Sequence, residues 1–237
     1  MPTAAVVIIG DEILSGKFPD ENGPFLIGRL RTLGADLRRI STISDDVAGI
    51  ADEVARASAA HDHVITTGGV GPTHDDVTLE GVARAFDLPL EARPELVALL
   101  DRYGLPRTET NLRMATVPAG ASLIVGPRSN FPVVRVRNVW VFPGIPRLMQ
   151  AKFEEIAPAF AGEQIRAVRL YVDQPETEIA AALMEVAARF AAAVAIGSYP
   201  RFGEDGYQVI VTLESRDDDA LAEANAALRA VLAVVEP

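Results

Sequence analysis

A glycine-rich stretch that contains two adjacent carboxylates is the part of the chain best suited to chemistry. It reads TTGGVGPTHDDVT and covers residues 66–78. Glycine lets a backbone turn sharply or approach a ligand closely, and a loop between a strand and a helix can present backbone N–H groups to an anion. The stretch therefore predicts a phosphate-binding loop. The alternative is a tight turn in which Thr78 caps the next helix.

Contacts to phosphate are expected from backbone amides and hydroxyl groups of this loop. Five residues are predicted to make them: Gly68, Gly69, Gly71, Thr73 and Thr78. The spacing differs from a dinucleotide-binding fingerprint because His74 stands where the third glycine would be, and no lysine follows as in a Walker A loop. The residue types indicate phosphate binding, but neither of these two motifs is present.

Carboxylates are predicted to cluster at the same place. Asp75 and Asp76 lie in the loop, while Asp11 and Glu12 follow the first apolar run. Mg²⁺ is usually held by one or two carboxylates together with substrate oxygens, so we predict a divalent metal site with Asp11 and Asp76 as ligands. The alternative is that Asp75 or Asp76 caps the next helix and that the other carboxylates are solvated.

Further candidates lie outside the loop. Asp45 follows the second predicted strand, and FPGIP, which contains Gly144, is a second glycine–proline element that ends a predicted strand and opens a predicted helix. Arg113 could contact phosphate, although a surface position is the simpler interpretation. His61 and His63 have the spacing of two metal ligands, but they precede a buried strand and are predicted to lie at the surface or at the strand end.

Three strand–helix repeats must position these residues. The apolar runs at 4–10 and His63–Thr67 and the alternating run Asp36–Ile43 predict strands, each followed by a segment with helical spacing. This order predicts right-handed crossovers and a parallel sheet with helices on both faces. Ligands of such sheets bind beyond the carboxyl ends of the strands. The three loops that carry most of the candidate residues fall at those ends.

The rest of the chain predicts further helices and strands, followed by a segment in which the order of the elements differs. RPELVALLDRYG and TETNLRMATV have helical spacing, and SLIVG, VVRVRN and VWVF predict strands, the middle one antiparallel because its connections are too short for a crossover. PGIPRLMQAKFEEI predicts a long helix with Pro146 near its first turn. From about Gln164 the order becomes β-α-β-β-α. We predict an α/β domain over residues 1–162 and a small α+β subdomain over residues 163–237.

The composition limits the classes of function. The 237 residues carry a formal net charge of −11 and are 49% hydrophobic, which supports a sizeable core and argues against a nucleic-acid partner, since nucleic acid is a polyanion. The absence of cysteine excludes disulfides, thiolate zinc sites and cysteine nucleophiles. No apolar run has the length of a membrane span, and the first residues lack the features of a signal peptide. We expect a soluble, cytoplasmic protein with no membrane partner.

Four segments together are similar to a known family: IIGDEILSGKFPDENGPFL, TISDDV, ITTGGVGPTHDDVT and VFPGIPRLM, in this order. They resemble the molybdopterin-binding domain family of the molybdenum-cofactor biosynthesis type, in particular the branch at the N-terminus of CinA-like competence/damage-inducible proteins. The resemblance covers about residues 4–160, and the β-α-β-β-α tail also looks like that branch. It implies a three-layer α/β/α fold with a mostly parallel sheet, a pocket for a pterin phosphate or nucleotide diphosphate, and a homo-oligomer, either a dimer or a trimer. It also implies that Gly144 lies beside the ligand, and the alternative is that FPGIP is only a strand-to-helix turn.

The resemblance also implies chemistry. In cofactor-making relatives the aspartate at the position of Asp76 is essential to adenylyl transfer, whereas some CinA-like members hydrolyse ADP-ribose with a divalent metal and the version beside FAD synthase can hydrolyse FAD. We therefore predict a metal-dependent pyrophosphatase acting on ADP-ribose or FAD, with Asp76, Asp75 and Glu12 catalytic and Mg²⁺ or another divalent metal as cofactor. Glu12 or Asp45 would orient the attacking water. The alternatives are a pterin-binding protein of molybdenum-cofactor biosynthesis and a non-catalytic nucleotide-binding module.

One segment, residues 126–133, departs from the family pattern. Relatives tend to have an asparagine, a glycine and an APG-like triplet where this chain has GPRSNFPVV, so that Gly126, Ser129 and the triplet 131–133 replace them. In relatives this segment helps to close the pocket. The departure favours the non-catalytic alternative, whereas the intact carboxylates weigh against it.

Overall fold

The computed structural model describes residues 1–127, 131–201 and 206–236. The chain divides into two compact units, Met1–Gly162 and Glu163–Pro237. Within the described residues, no helix combines the length and the apolar character that crossing a bilayer requires.

The first unit begins with the alternation of strands and helices that its sequence predicts. Its elements in chain order are β1 (Thr3–Ile9), α1 (Asp11–Leu14), α2 (Asn22–Leu33), β2 (Asp36–Ile43), α3 (Val47–Ala60), β3 (His63–Thr67), α4 (Thr78–Ala85), β4 (Leu90–Ala92), α5 (Pro94–Arg102), α6 (Glu109–Arg113), β5 (Thr116–Pro118), β6 (Ser122–Ile124), β7 (Val133–Val136), β8 (Val139–Phe142), α7 (Pro146–Ile156) and a 3-10 turn (Ala157–Phe160). Local chemistry fixes several helix ends. Asp46 accepts a hydrogen bond from the Gly49 amide at the start of α3, and Gly34, with a φ of 77°, ends α2 in the left-handed conformation.

The main sheet of this unit has the strand order β2-β1-β3-β8-β7-β6. β1 pairs in parallel with β2 and β3, and β3 pairs in parallel with β8. β7 is antiparallel to both β6 and β8. The predicted mostly parallel sheet is confirmed. β7, which corresponds to the middle one of the last three predicted strands of this unit, is antiparallel as predicted.

Helices cover both faces of this sheet and give three layers. Successive residues of β1 enter different cores: Val7 belongs to the same core as Ile50 of α3. Ile8 belongs to the opposite core, with Leu26 of α2 and Phe153 of α7. This burial on both faces explains why β1 is a continuous apolar run rather than an alternating one. The predicted α/β/α fold is confirmed.

A small antiparallel pair, β4 and β5, departs from the predicted pattern. The segment TETNLRMATV predicts one helix, but α6 ends at Arg113 and β5 begins at Thr116. That part of the prediction is wrong because the end of the segment pairs with β4. The three residues of β4 are all exposed and show no alternation, so they give no strand signal of their own.

The second unit is an antiparallel sheet with two helices. Its elements are β9 (Arg166–Val172), α8 (Glu176–Phe190), β10 (Ala195–Pro200), β11 (Val209–Ser215), α9 (Asp218–Arg229) and β12 (Val234–Val235). The strand order is β10-β11-β9-β12, so the predicted β-α-β-β-α order is present and is followed by a short edge strand. Alternate residues of β11 such as Val211 and Leu213 share a core with Ile179 of α8 and Leu228 of α9.

Close packing of α3 against α4 holds the helix that follows the glycine-rich loop. Gly81 of α4 faces Ile50 of α3, and a Cβ on Gly81 would lie 2.4 Å from Cγ2 of Ile50. Glycine inside a helix is normally unfavourable. At this position it allows the two helices to approach more closely than alanine would.

We expect Gly81→Ala to destabilise the protein by about 1–3 kcal/mol, because the added methyl group would overpack this interface. Gly28→Ala in α2 is the matched control, since among the described residues outside its own helix no heavy atom lies within 4 Å of a Cβ on Gly28. The control should stabilise the protein by about 0.5–1 kcal/mol. Chemical denaturation measures both changes, and equal effects of the two substitutions would contradict the packing described.

Candidate functional site

Four neighbouring parallel strands end at one edge of the main sheet. β2, β1, β3 and β8 lie side by side in that order, so the segments that follow them meet at that edge. The segments after β1 and β2 are joined by a hydrogen bond of 2.9 Å from the Asp11 amide to Oδ2 of Asp45. The segment after β8 approaches the glycine-rich loop after β3: a Cβ on Gly144 would lie 3.2 Å from Cα of Gly68. The candidate residues of these segments are thus brought to one place.

Gly68 turns the chain at the end of β3. Its φ is 107°, and a Cβ at this position would lie 2.0 Å from the carbonyl oxygen of Ile9. Its amide donates to the carbonyl of Phe142 at 3.2 Å, and its carbonyl accepts from Oγ1 of the buried Thr78 at 2.8 Å. The expected phosphate contacts of Gly68 and Thr78 need correction, because both donors already have acceptors. These two residues shape the loop instead.

The next three backbone amides have a different environment. Within the described part of the chain, the N–H groups of Gly69, Val70 and Gly71 donate to no acceptor. Gly69 has a φ of 61°, which glycine adopts without strain. Backbone N–H groups in folded proteins usually have an acceptor in the protein, in water or in a ligand. Successive N–H groups in such a turn form a concave anion site, so these three donors are the part of the loop suited to phosphate.

Asp76 folds back over the loop. Its Oδ2 accepts from the Thr73 amide at 2.8 Å and from the Thr73 hydroxyl at 2.5 Å, and a Cβ on Gly71 would lie 2.7 Å from the same oxygen. The expected contact of the Thr73 hydroxyl with phosphate also needs correction, since its proton is directed at Asp76. α4 begins after Val77 with no side-chain cap, so the alternative in which an aspartate or threonine of the loop caps this helix is wrong.

Asp45 lies between the segment after β1 and the glycine-rich loop. Its pKa is raised, first by burial and then by the charges of Asp11, Glu12 and Asp75, and these effects outweigh the hydrogen bond from the Asp11 amide. The Oδ1 atom of Asp45 would lie 3.4 Å from a Cβ on Gly69. Asp45 therefore faces the glycine-rich loop with one oxygen and the segment after β1 with the other.

Glu12 and Asp75 extend the acidic edge of the site on two sides. The Glu12 carboxylate folds back over the tip of β1, where a Cβ on Gly10 would lie 2.7 Å from both of its oxygens. Asp75 is exposed, and its carboxylate lies 3.9 Å from Nδ1 of His74, which is 97% exposed. His74 therefore points to solvent at the outer side of the loop.

The carboxylates of the site fit a divalent metal only if water or substrate supplies its other ligands. The described residues contain no group of three or more His, Cys, Asp or Glu side chains arranged to hold a metal ion by themselves. Mg²⁺ commonly uses one or two carboxylates and completes its shell with water and substrate phosphate. Burial raises the pKa of Asp45, and the charges of Asp11, Glu12 and Asp75 raise it further, so a cation at this edge would be favoured. Asp11 and Asp76 stay the predicted ligands.

Asn22 is a residue of the site that the sequence patterns do not reveal. Its buried side chain donates from Nδ2 to Oγ1 of Thr67 at 2.9 Å and to the carbonyl of Gly144 at 2.8 Å. The Thr67 hydroxyl donates to the carbonyl of Pro143 at 2.9 Å. Asn22 thus joins the end of β3 to the segment after β8. The available signal was an asparagine at a helix start, two residues after Asp20, which accepts from the Asn22 amide at 2.9 Å.

A pocket of about 540 Å³ opens beside the glycine-rich loop. Gly69, Gly71 and Asp76 form one side of it, and residues of α4, β4, α6 and β5 form the rest. Arg113 lines the pocket and donates from Nη2 to the carbonyl of Asp76 at 3.1 Å. Arg113 is exposed, as the simpler interpretation of the sequence predicts, but it lies next to the loop.

His61 and His63 lie at the opposite end of β3 from the site. The His63 ring packs edge-on against Phe160, with the ring centroids 5.2 Å apart. Burial lowers the pKa of His63, and the nearby Arg135 lowers it further against the opposing charge of Asp62. His63 is the first residue of β3, as predicted, whereas His61 lies at the C-terminal cap of α3.

Residues 126–133 depart from the family pattern, and both described ends of this segment lie against α7. A Cβ on Gly126 would lie 1.8 Å from Oε2 of Glu155, and the buried Lys152 donates to the carbonyl of Phe131. Ser129, which replaces the family's glycine, lies outside the described residues.

Fold and site together define a three-layer α/β protein with a glycine-rich loop set among carboxylates. The model of a family described as a probable molybdopterin binding domain matches residues 5–162. The chain therefore belongs to this family. A second model, the middle domain of FAD synthase, matches residues 164–235.

Individual relatives agree with this assignment. A probable FAD synthase of Caenorhabditis elegans is 36% identical over 98% of this chain and 50% of its own length. A CinA-like protein of Citrifermentans bemidjiense is 38% identical over 67% of this chain and 40% of its own length. The crystal structure of a CinA protein of unknown function from Thermoplasma acidophilum matches with a TM-score of 0.62 and 30% identity, covering 68% of this chain and 99% of that one. The predicted resemblance to CinA-like proteins is confirmed, and the chain spans about half the length of the FAD synthase relatives.

We expect Asp45→Asn to stabilise the protein at neutral pH by less than about 1 kcal/mol, because it removes a charge that the folded state disfavours and that solvent partly screens. The gain should be complete above the raised pKa of Asp45. It should disappear as the pH falls through that value toward the ordinary pKa of an aspartate, because the wild-type carboxylate then takes up its proton. Thermal unfolding across this pH range measures the effect. Asp52→Asn on the exposed side of α3 is the control, and a loss of stability in Asp45→Asn at neutral pH would contradict the electrostatics described.

Proposed function

We propose that the site hydrolyses the diphosphate bond of a nucleotide such as ADP-ribose or FAD with the help of a divalent metal. The observation that carries the proposal is that the amides of residues 69–71, which have no acceptor in the described part of the chain, adjoin the carboxylates of Asp45 and Asp76. Amides alone would suit any anion, and carboxylates alone would repel one. The two together suit a phosphate that is bridged to the protein by a cation.

Each carboxylate has a distinct role in the proposed reaction. Asp11 and Asp76 would hold the metal, which would supply positive charge to the phosphate oxygens. Glu12 orients the attacking water, and Asp45, whose pKa is raised, is the group suited to accept its proton. Asp75 adds to the negative potential that attracts the cation. Water adds to one phosphorus, the bond from that phosphorus to the bridging oxygen breaks, and AMP and a second phosphate monoester leave.

The loop amides stabilise charge in this reaction. Their N–H groups are fixed before substrate arrives, because Gly68 and Thr78 hold the turn from which they project. Donors that are already oriented toward developing charge need no reorganisation during the reaction. The negative charge that builds up on the phosphoryl oxygens is the charge they would receive.

The relatives support a nucleotide substrate. Two models match this chain one after the other, a probable molybdopterin binding domain and the middle domain of FAD synthase. Proteins named probable FAD synthase align along nearly the whole chain. FAD contains a diphosphate between two nucleoside-like parts, so a site for its diphosphate fits a protein of this kind.

A second candidate is the binding of a pterin phosphate for molybdenum-cofactor biosynthesis. It is favoured by the description of the family whose model matches residues 5–162. This function would use the same loop amides but would need no attacking water. The two candidates differ in their product, since only the first releases AMP from ADP-ribose or FAD.

We expect Asp76→Asn to lower the turnover of ADP-ribose or FAD by at least about a hundredfold, because the substitution removes a charged metal ligand beside the reacting phosphate. Asparagine keeps an oxygen that can accept from the Thr73 amide, so the loop should keep its shape. Turnover is measured as AMP released with Mg²⁺, Mn²⁺ or Co²⁺, and circular dichroism verifies the fold.

Asp52→Asn is the charge-matched control for activity and should turn over substrate at the wild-type rate. Undiminished turnover by Asp76→Asn, or undiminished turnover by the wild type in EDTA, would refute the metal-dependent pyrophosphatase. Tight binding of a pterin phosphate by a wild type that releases no AMP would support the second candidate instead.

A further inference from the structure

The sheet of the second unit ends in a strand, β10, whose outer side is open. β10 pairs with β11 on its inner side, and among the described residues no backbone group bonds to its outer side. Such an edge is a template for another strand, and folded proteins usually shorten it, place charges on it or cover it. We propose that a second copy of this chain covers it, with β10 of one copy antiparallel to β10 of the other.

The remaining outermost strands of the two larger sheets are protected against such pairing. β2 carries the exposed side chains of Arg38 and Arg39, β6 has three residues, and β12 has two. β10 has six residues, AIGSYP, and none of them is charged. Its proline stands at the last position and leaves the preceding residues able to pair. β10 is therefore the outermost strand best suited to pair with another chain.

α8 presents an uncharged flank beside β10. Thr177, Ala180 and Met184 lie at helical spacing and, together with Ser198 of β10, line a groove of about 350 Å³. Met184 is 73% exposed, so a long apolar side chain lies uncovered at this groove. Small residues such as Ala180 allow a second helix to approach closely. The surface thus offers a strand edge and a helix flank side by side.

A second copy matches both parts of this surface at once. A two-fold axis perpendicular to the sheet sets β10 against β10 and α8 against α8, because a two-fold interface brings the same patch of both copies together. Two sheets of four strands then become one sheet of eight. Each chain has a net charge of −11, so two copies approach most easily where charges are few. Glu176 is the one charged residue that lines the groove, and the Ser198 hydroxyl donates to its carboxylate.

The side chains of β10 favour one register. Ser198 points to the side of α8, where it meets Glu176, so Gly197 and Tyr199 point to the other face of the sheet. With Ser198 on the two-fold axis, Gly197 of each copy lies opposite Tyr199 of the other. A tyrosine opposite a glycine covers the position that lacks a side chain. The ring of Tyr199, a residue that is 56% exposed, would gain a neighbour in this way.

Cross-linking through a single introduced cysteine tests this arrangement, because the chain has no cysteine of its own. Neighbouring strands lie about 4.8 Å apart, and each residue advances about 3.3 Å along a strand. The Cα atoms of residue 198 in the two copies would thus be about 5 Å apart, which suits a disulfide, and those of residue 199 about 8 Å, which does not. In air, Ser198→Cys should form a linked dimer at least about tenfold faster than Tyr199→Cys. Random collisions would favour the more exposed position 199 instead.

A charge on the flank of α8 should weaken the association. Adding Met184→Lys to Ser198→Cys should slow cross-linking at least about tenfold, because the interface would cover a lysine without a partner. Val231→Lys is the matched control, at an apolar residue of the second unit that is 55% exposed and does not line the groove. It should leave the rate unchanged, and circular dichroism verifies the fold of every variant.

Hydrogen exchange of the wild type provides a measurement that needs no variant. Amides of β10 that point outward should exchange at least about tenfold more slowly in concentrated than in dilute protein, because pairing protects them. Exchange that does not depend on concentration would overturn the proposal. Cross-linking of Ser198→Cys that is no faster than that of Tyr199→Cys, or that ignores Met184→Lys, would also overturn it and leave the edge to a different partner. This association involves the second unit alone and is independent of the reaction proposed for the first.

Discussion

The close approach of β3 to β1 at Gly68 is the constraint on which the candidate site depends. A Cβ at this residue would lie 2.0 Å from the carbonyl oxygen of Ile9, so the chain can take this path only with glycine. The amide and carbonyl of Gly68 are used by Phe142 and Thr78. The turn that they fix leaves the following three amides without acceptors among the residues that the structure describes. One contact between backbones therefore produces the donors that would hold a phosphate.

The segments after the neighbouring strands surround this loop with carboxylates. Burial and nearby carboxylates raise the pKa of Asp45, which means that the folded protein keeps a charge that it disfavours. Groups whose charge the folded state disfavours are common at functional sites, where the surrounding structure keeps them in place. Here the two apolar cores on either side of the sheet fix the strands, and the buried hydrogen bonds of Asn22 fix the segments that follow β3 and β8.

The sequence predicted the architecture well because its signals are local. The apolar run of β1 and the loop at 66–78 indicate a parallel sheet and a turn without knowledge of any distant residue. The hydrogen bonds inside the site were not predictable in this way. Whether the Gly68 amide is free depends on Phe142, far along the chain, and the role of Asn22 depends on Gly144. β4 was missed for a related reason, since it exists only through pairing with β5.

Amide chemical shifts test most directly whether the loop amides bind a diphosphate. When ADP and Mg²⁺ are added to the wild-type protein, the signals of Gly69, Val70 and Gly71 should shift in a saturable way. The signals of Gly104 and Gly120 should not, since these glycines also have left-handed φ values but have open surroundings among the described residues. Saturation with ADP that leaves the three loop signals in place would contradict the claim that these amides form the phosphate site.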